Sequence, residues 1–183
     1  MNESFLVKLV GKLGGDHGDD KEIRVLNRIL RWTAHGIMYE ADPRHAEILA
    51  SEVGATGPAV RTPVVKSDKV KVEAESGNEE LLDAETTRWF RSGAARANYL
   101  AMDRPELAFA TKELCRRMTA PTRRDMAALG RVARYLAGCP RLVYTFPWQW
   151  HGQLLAFMDT DFAGCMKTRK STSGGCALLG RHT

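Results

Sequence analysis

An α+β fold is predicted for this chain by three observations. Residues 154–180 read as an apolar strand, a polar turn and a second apolar strand, the pattern of a β-hairpin. Residues 23–41 read as another hairpin: 23–33 are rich in β-branched and aromatic residues, Ala34, His35 and Gly36 supply a turn, and 37–41 pair back. Between them, three segments within 84–138 carry apolar residues at helical spacing behind recognisable caps. With 183 residues, 44% of them hydrophobic, the chain can bury one core or two small ones.

Taken in order, residues 4–10 form a short apolar run suited to a strand, followed by a Gly-rich loop through Asp20. That loop spells Gly18-Asp19-Asp20, a triplet used by many viral RNA-dependent polymerases, where it sits at a tight turn between apolar strands. Here it is polar on both sides and runs into Lys21 and Glu22, which favours a solvated loop. After the hairpin, Asp42 is placed to cap a helix with Pro43 at its first position, and Gly54 to end it; Ile48, Leu49 and Val53 are its apolar residues. Gly57-Pro58 and Thr62-Pro63 break the pattern, and 66–80, in which Lys and Glu alternate, mark a solvated, mobile linker over 66–83.

The first of the three helices is expected over 84–102, with Trp89, Phe90, Ala94, Ala97 and Leu100 on its apolar side. Asp103 and Glu106 have the spacing of a capping box for the second, whose Leu107, Thr111, Leu114, Cys115 and Met118 share a face. Thr122 and Asp125 have the same spacing for the third, which Gly138 ends. Residues 141–147 supply another strand, and Trp148-Gln149-Trp150 a loop or packing corner.

The charge is uneven. From residue 88 onward there are 16 Lys and Arg against 6 Asp and Glu, whereas the first 87 residues hold 11 against 16, so the second half is the half that would meet a polyanion. On the third helix, at about 100° per residue, Arg123, Arg124, Arg131 and Arg134 fall within an arc of roughly 100°. Met126, Leu129, Val132, Ala133 and Leu136 lie opposite. A solvated face usually mixes signs; this arc holds no carboxylate, which favours a phosphate-facing stripe over an ordinary surface.

Asp159 and Asp161 stand at the end of the 154–160 run, and side chains two apart on a strand share a face, so both are candidate ligands for a cation. Taken alone, an Asp pair beside Ala163-Gly164 is more often a turn or a solvated edge than a metal site. The four cysteines and five histidines show no Cys-x-x-Cys or zinc spacing, so reduced thiols and no zinc site are expected. No apolar run is long enough for a membrane span and no secretory signal is evident, which makes a cytoplasmic or nuclear setting the expectation.

The order Asp159-Thr160-Asp161-Phe162-Ala163-Gly164, then Arg169-Lys170-Ser171-Thr172-Ser173-Gly174, resembles the start of the ribonuclease H domain in copia-type LTR retrotransposon Pol polyproteins. Residues 88–110, with Arg88-Trp89-Phe90 and Arg104-Pro105-Glu106-Leu107, resemble the helical region after the reverse transcriptase palm of the same polyprotein. Residues 25–30 with Tyr39-Glu40-Ala41-Asp42-Pro43-Arg44-His45 resemble the end of the palm and the start of the thumb. The three stretches occur in the order the family requires.

The resemblance implies four segments: palm end and thumb over 1–65, a linker over 66–83, a three-helix connection over 84–140, and an incomplete ribonuclease H-like sheet over 141–183. It also implies roles. Asp159 matches the family's first catalytic carboxylate and would hold Mg2+ in the intact enzyme, with Asp161 a weaker candidate, either a ligand or a residue that supports one. Arg44 and His45 would grip a primer strand, the equal alternative being ordinary polar residues of a first helical turn, and Lys167, Arg169 and Lys170 would lie beside an RNA–DNA hybrid. The family's Tyr-Val-Asp-Asp-type polymerase motif is absent from this sequence, as are the later ribonuclease H carboxylates. The expectation is therefore a fragment, joined to the remainder of the Pol polyprotein, that binds nucleic acid but is catalytically incomplete alone and holds no stable metal; the alternatives are a non-catalytic binding module using the basic helices, and a remnant with no partner.

Overall fold

A computed structural model describes residues 8–53, 57–64, 80–150, 152–165 and 168–182. The chain divides into two compact units, Met1–Tyr39 with Tyr144–Thr183, and Glu40–Val143.

The first unit is built on strands β1 (Glu22–Val25), β2 (Arg28–Thr33), β3 (Gly36–Glu40) and β4 (Val143–Pro147), in that order across one sheet. The single strand expected over 23–33 is broken. Leu26 and Asn27 both have positive φ, 50° and 64°, and form a two-residue turn that pairs Val25 with Arg28. No Gly marks that turn in the sequence, because Leu and Asn occupy the left-handed positions instead. The strand expected over 4–10 does not form at Lys8, Leu9 and Val10, and 4–7 lie outside the described residues.

The loop before β1 folds onto lysines. Lys12 Nζ lies 3.0 Å from Asp19 Oδ1, and Lys21 Nζ donates to the carbonyls of Gly14 (2.9 Å) and Asp16 (3.1 Å). The Gly-Asp-Asp triplet is therefore a surface loop. Strand β4, expected to open the last segment, lies beside β3 in the sheet order. Trp148 is a packing corner: its Nε1 donates to the Thr33 carbonyl at 3.1 Å, and its ring centroid is 4.3 Å from that of Trp32.

Strands β5 (Leu154–Thr160) and β6 (Ser173–Leu179) form a separate antiparallel pair, with Leu154 opposite Leu179 and Asp159 opposite Gly174. Every β5 residue is exposed, Leu154 at 70% and Met158 at 85%, so both faces of this apolar strand meet solvent. Two strands alone offer too little packing to bury them.

The second unit is helical: α1 (Arg44–Glu52), α2 (Ala84–Leu100), a 3-10 turn (Pro105–Leu107), α3 (Ala108–Cys115) and α4 (Arg123–Gly138). Its core joins Ala46 and Leu49 of α1, Phe90, Ala94, Ala97 and Leu100 of α2, Leu107, Ala110 and Leu114, and Leu129, Val132 and Leu136 of α4. Helix α1, assigned by resemblance to the segment before the linker, thus packs with the helices after it. It ends at Glu52; the Gly54 expected to stop it, and most of the 66–83 linker, lie outside the described residues.

Side-chain caps open α2 and α4, whereas α1 starts at Arg44 with Pro43, not the expected Asp42, at the cap position and no side-chain cap. Thr122 and Asp125 make the expected capping box, with Thr122 N–H donating to Asp125 Oδ2 at 2.8 Å. The box expected from Asp103 and Glu106 does not form: Glu106 Oε1 instead accepts from Arg104 Nε at 2.7 Å, and Pro105 opens a 3-10 turn. Helix α2 is capped by Asp83, whose Oδ1 accepts from the N–H groups of Glu85 and Thr86, both at 2.9 Å. Trp89, expected in the core, is 46% exposed, and α2 stops at Leu100 rather than 102. The four cysteines are free thiols, and no described helix is long and apolar enough to cross a membrane.

Candidate nucleic-acid interface

Helix α4 has the two faces its sequence requires. Leu129, Val132, Ala133 and Leu136 are at most 1% exposed, while Arg123 is exposed and Arg124, Arg131 and Arg134 are half-buried. The core face fixes the helix rotation, so the four arginines are held on the outer arc.

They are not equivalent. The expectation of an arc without carboxylates is corrected by Glu80, whose Oε2 lies 2.9 Å from Arg123 Nε in an exposed pair. Glu80 reaches this position because Arg123 N–H donates to its carbonyl and Leu81 bridges to Thr122. Arg131 spans the loop before the linker, donating from Nε to the Thr62 carbonyl and from Nη2 to Thr62 Oγ1, each at 3.0 Å. Arg134 has no hydrogen bond or ion pair with the described residues and lies against Gly57. Arg123 and Arg131 are therefore partly committed within the unit, and a surface pair such as Glu80–Arg123 is weak enough to exchange for a phosphate.

Arg44 and His45 occupy the first turn of α1. Arg44 Nη2 is 3.5 Å from Asp42 Oδ2, and Asp42 is 5% exposed. The His45 ring stands edge-on to Tyr99 with centroids 4.8 Å apart, and its buried Nδ1 has no partner. A phosphate contact from His45 is thus restricted to its other nitrogen.

The carboxylates of the β5–β6 hairpin are turned to local work. Asp159 Oδ1 accepts from the Thr160 N–H at 2.9 Å. Asp161 lies beyond the strand, which ends at Thr160, so the alternation that would put both carboxylates on one face stops before it. Its Oδ1 accepts from the Thr172 N–H, and its own N–H donates to the Thr172 carbonyl, closing the turn. Among the described residues no group of three or more His, Cys, Asp or Glu side chains is placed to hold a metal ion. The residues present do not fit a two-metal site, which needs several convergent carboxylates. Arg169 has a positive φ of 54° within this turn, Lys170 is exposed beside it, and Lys167 lies outside the described residues.

Sequence reasoning missed Glu80, Gly130 and Arg104. Nothing local to Glu80 signals that it meets Arg123. Gly130 carried a signal, an isolated glycine inside a helical run.

No family model matches the chain, and no solved structure matches it. Three similar proteins come from Arabidopsis thaliana. An uncharacterized mitochondrial protein is 37% identical over 100 residues, covering 50% of this chain and 38% of that protein. The retrovirus-related Pol polyprotein from transposon RE1 is 32% identical over 145 residues, 74% of this chain but 9% of the polyprotein. A second uncharacterized mitochondrial protein is 35% identical over 81 residues, 44% of this chain and 73% of that protein. The chain thus spans well under half of the first two.

Proposed function

The chain belongs to the family of retrovirus-related Pol polyproteins from transposons, and on that premise we propose that it is a nucleic-acid-binding segment of such a polyprotein. In this reading the helical unit corresponds to the reverse transcriptase thumb and connection of a copia-type element, and the β5–β6 hairpin to the first strands of its ribonuclease H domain. The partner is an RNA–DNA hybrid or a related duplex, together with the remainder of the Pol chain. The observation that carries the reading is the cationic arc of α4, held rigid by a fully buried opposite face.

Arginines on such an arc contact phosphates and carry no base readout, so binding is expected to be sequence-tolerant and steeply salt-dependent. The hairpin carboxylates favour a binding role for this segment over an independent catalytic one. Asp159 and Asp161 would contribute to a Mg2+ site only with carboxylates supplied from elsewhere in the polyprotein.

The test is duplex affinity against salt for the native chain and for Arg124→Gln with Arg131→Gln. Loss of up to two phosphate contacts should lower the log–log slope by about one to two units. Because Arg131 also holds Thr62, circular dichroism and thermal melting must first show the variant folded. Unchanged affinity and slope in a folded variant would make the arc an ordinary solvated surface.

A further inference from the structure

A groove of about 820 Å³ runs beside the cationic arc within the helical unit, lined by Val53, Leu82, Met126, Gly130, Arg123 and Arg134. Its lining is mixed: Val53, Leu82 and Met126 give it an apolar part, and charged side chains of both signs share it. The two carboxylates in the lining are already engaged, since Glu80 pairs with Arg123 and Asp83 caps α2. Arg134 is the lining cation without a polar partner among the described residues.

Gly130 supplies an independent observation. Glycine weakens a helix interior relative to alanine, so a mid-helical glycine calls for a reason. The other helical glycines have one. A Cβ at Gly93 would meet Leu129 Cδ2 at 2.7 Å, and one at Gly138 would meet the Ala59 Cβ at 2.8 Å. A Cβ at Gly130 would meet nothing within 4 Å, and Gly130 is not among the residues with positive φ. Neither packing nor backbone conformation accounts for it; its effect is to keep the groove open.

We infer that this groove takes an unpaired nucleotide of a bound strand, its phosphate on the Arg134 guanidinium and its base over Gly130 against Met126 and Leu82. Duplex offers an arginine arc only phosphates, because its base faces are stacked away. A single strand also presents base faces that an apolar wall can cover, and that contact is tolerant of base identity. The groove falls within the size range of small-ligand sites. The inference rests on the nucleic-acid-binding reading and adds to it a preference for unpaired strand.

The experiment compares a fluorescent oligothymidylate single strand with a duplex of equal length, by anisotropy, on the full chain. The native protein should bind the single strand more tightly. Gly130→Leu fills open space and favours helix, so its melting temperature should be equal or higher while single-strand affinity falls about fivefold or more and duplex affinity is kept. Arg134→Gln should lower the single-strand salt slope by about one unit. Gly130→Ala, which blocks less, should fall between native and Gly130→Leu. If the native chain binds duplex but Gly130→Leu changes neither affinity, or lowers both equally, the groove is not a base site and only this inference is lost; if the native chain binds neither, the binding reading falls as well.

Discussion

Arg104 Nη1 donates to the carbonyl oxygen of Cys139 at 2.7 Å, so a guanidinium from the turn after α2 caps the C-terminal end of α4. Arg104 is 1% exposed, its Nε is held by Glu106, and its guanidinium lies 5.7 Å from the centre of the Tyr135 ring. Burial pulls its pKa down, but the hydrogen bond and charge of Glu106 push it up and prevail, so the group stays charged. Arg104→Met leaves Glu106 and the Cys139 carbonyl without their donor and should cost about 3 kcal/mol in urea unfolding. Arg104→Lys should recover little of this, because an ammonium cannot span both acceptors. A loss under about 1 kcal/mol for Arg104→Met would show that the contact is not a structural staple.

The turn between β1 and β2 leads to a prediction of opposite sign. Leu26 is 77% exposed at φ 50°, a conformation that burdens a branched side chain and gains nothing from burial. Replacing Leu26 by Asn and Asn27 by Gly should stabilise the first unit by about 1 kcal/mol. Thermal melting checks it; a lower melting temperature would mean that the turn is not of the left-handed, two-residue type.

How far such features can be read in advance depends on how local they are. The Thr122–Asp125 box was legible because both partners lie within one turn, and the buried face of α4 because its period is regular. The hairpin of β5 and β6 was legible from two apolar runs flanking a polar turn. Arg104 was not, since its acceptor is 35 positions away and a lone arginine reads as solvent-facing. Glu80 was missed for the same reason, and its pairing with Arg123 is what separates the observed arc from the uncompensated one expected. The turn at Leu26 was hidden because its residues do not favour the conformation they adopt. For the site, the alternation rule that suggested a shared face for Asp159 and Asp161 holds only while the strand continues, and it ends between them.

Asp83 gives α2 a pH dependence. Its carboxyl is held below the usual carboxylate range, first by the Thr86 backbone N–H, then by the Thr86 hydroxyl and the Glu85 N–H, against a smaller opposing effect of burial. A carboxyl whose folded pKa is depressed contributes stability above its unfolded pKa of about 3.9 and loses it as pH falls through the folded value. Asp83→Asn keeps an acceptor but does not titrate, so the variant should lose less stability than the native chain as the pH drops below about 4. Parallel acid-unfolding curves would rule out this cap as a contributor.

Asp161 separates the two roles open to the hairpin carboxylates. If its work is to close the turn, Asp161→Ala removes the acceptor for the Thr172 N–H, and amide exchange should speed at Thr172 and at the Thr160–Ser173 end of the ladder. The Leu154–Leu179 end, farthest from the turn, should change less. Millimolar Mg2+ should neither slow this exchange nor raise the melting temperature of the native chain, because a ligand raises stability only by binding the folded state, and two carboxylates already bonded to backbone make a poor site for an ion that dehydrates reluctantly. The same geometry predicts no Mg2+-dependent cutting of an RNA–DNA hybrid by this chain alone. Cleavage above background that disappears in Asp159→Asn, or Mg2+-dependent shifts at Asp159 and Asp161 that vanish in Asp161→Ala, would show instead that the turn rearranges to bind metal, and the hairpin would have to be regarded as part of a working site.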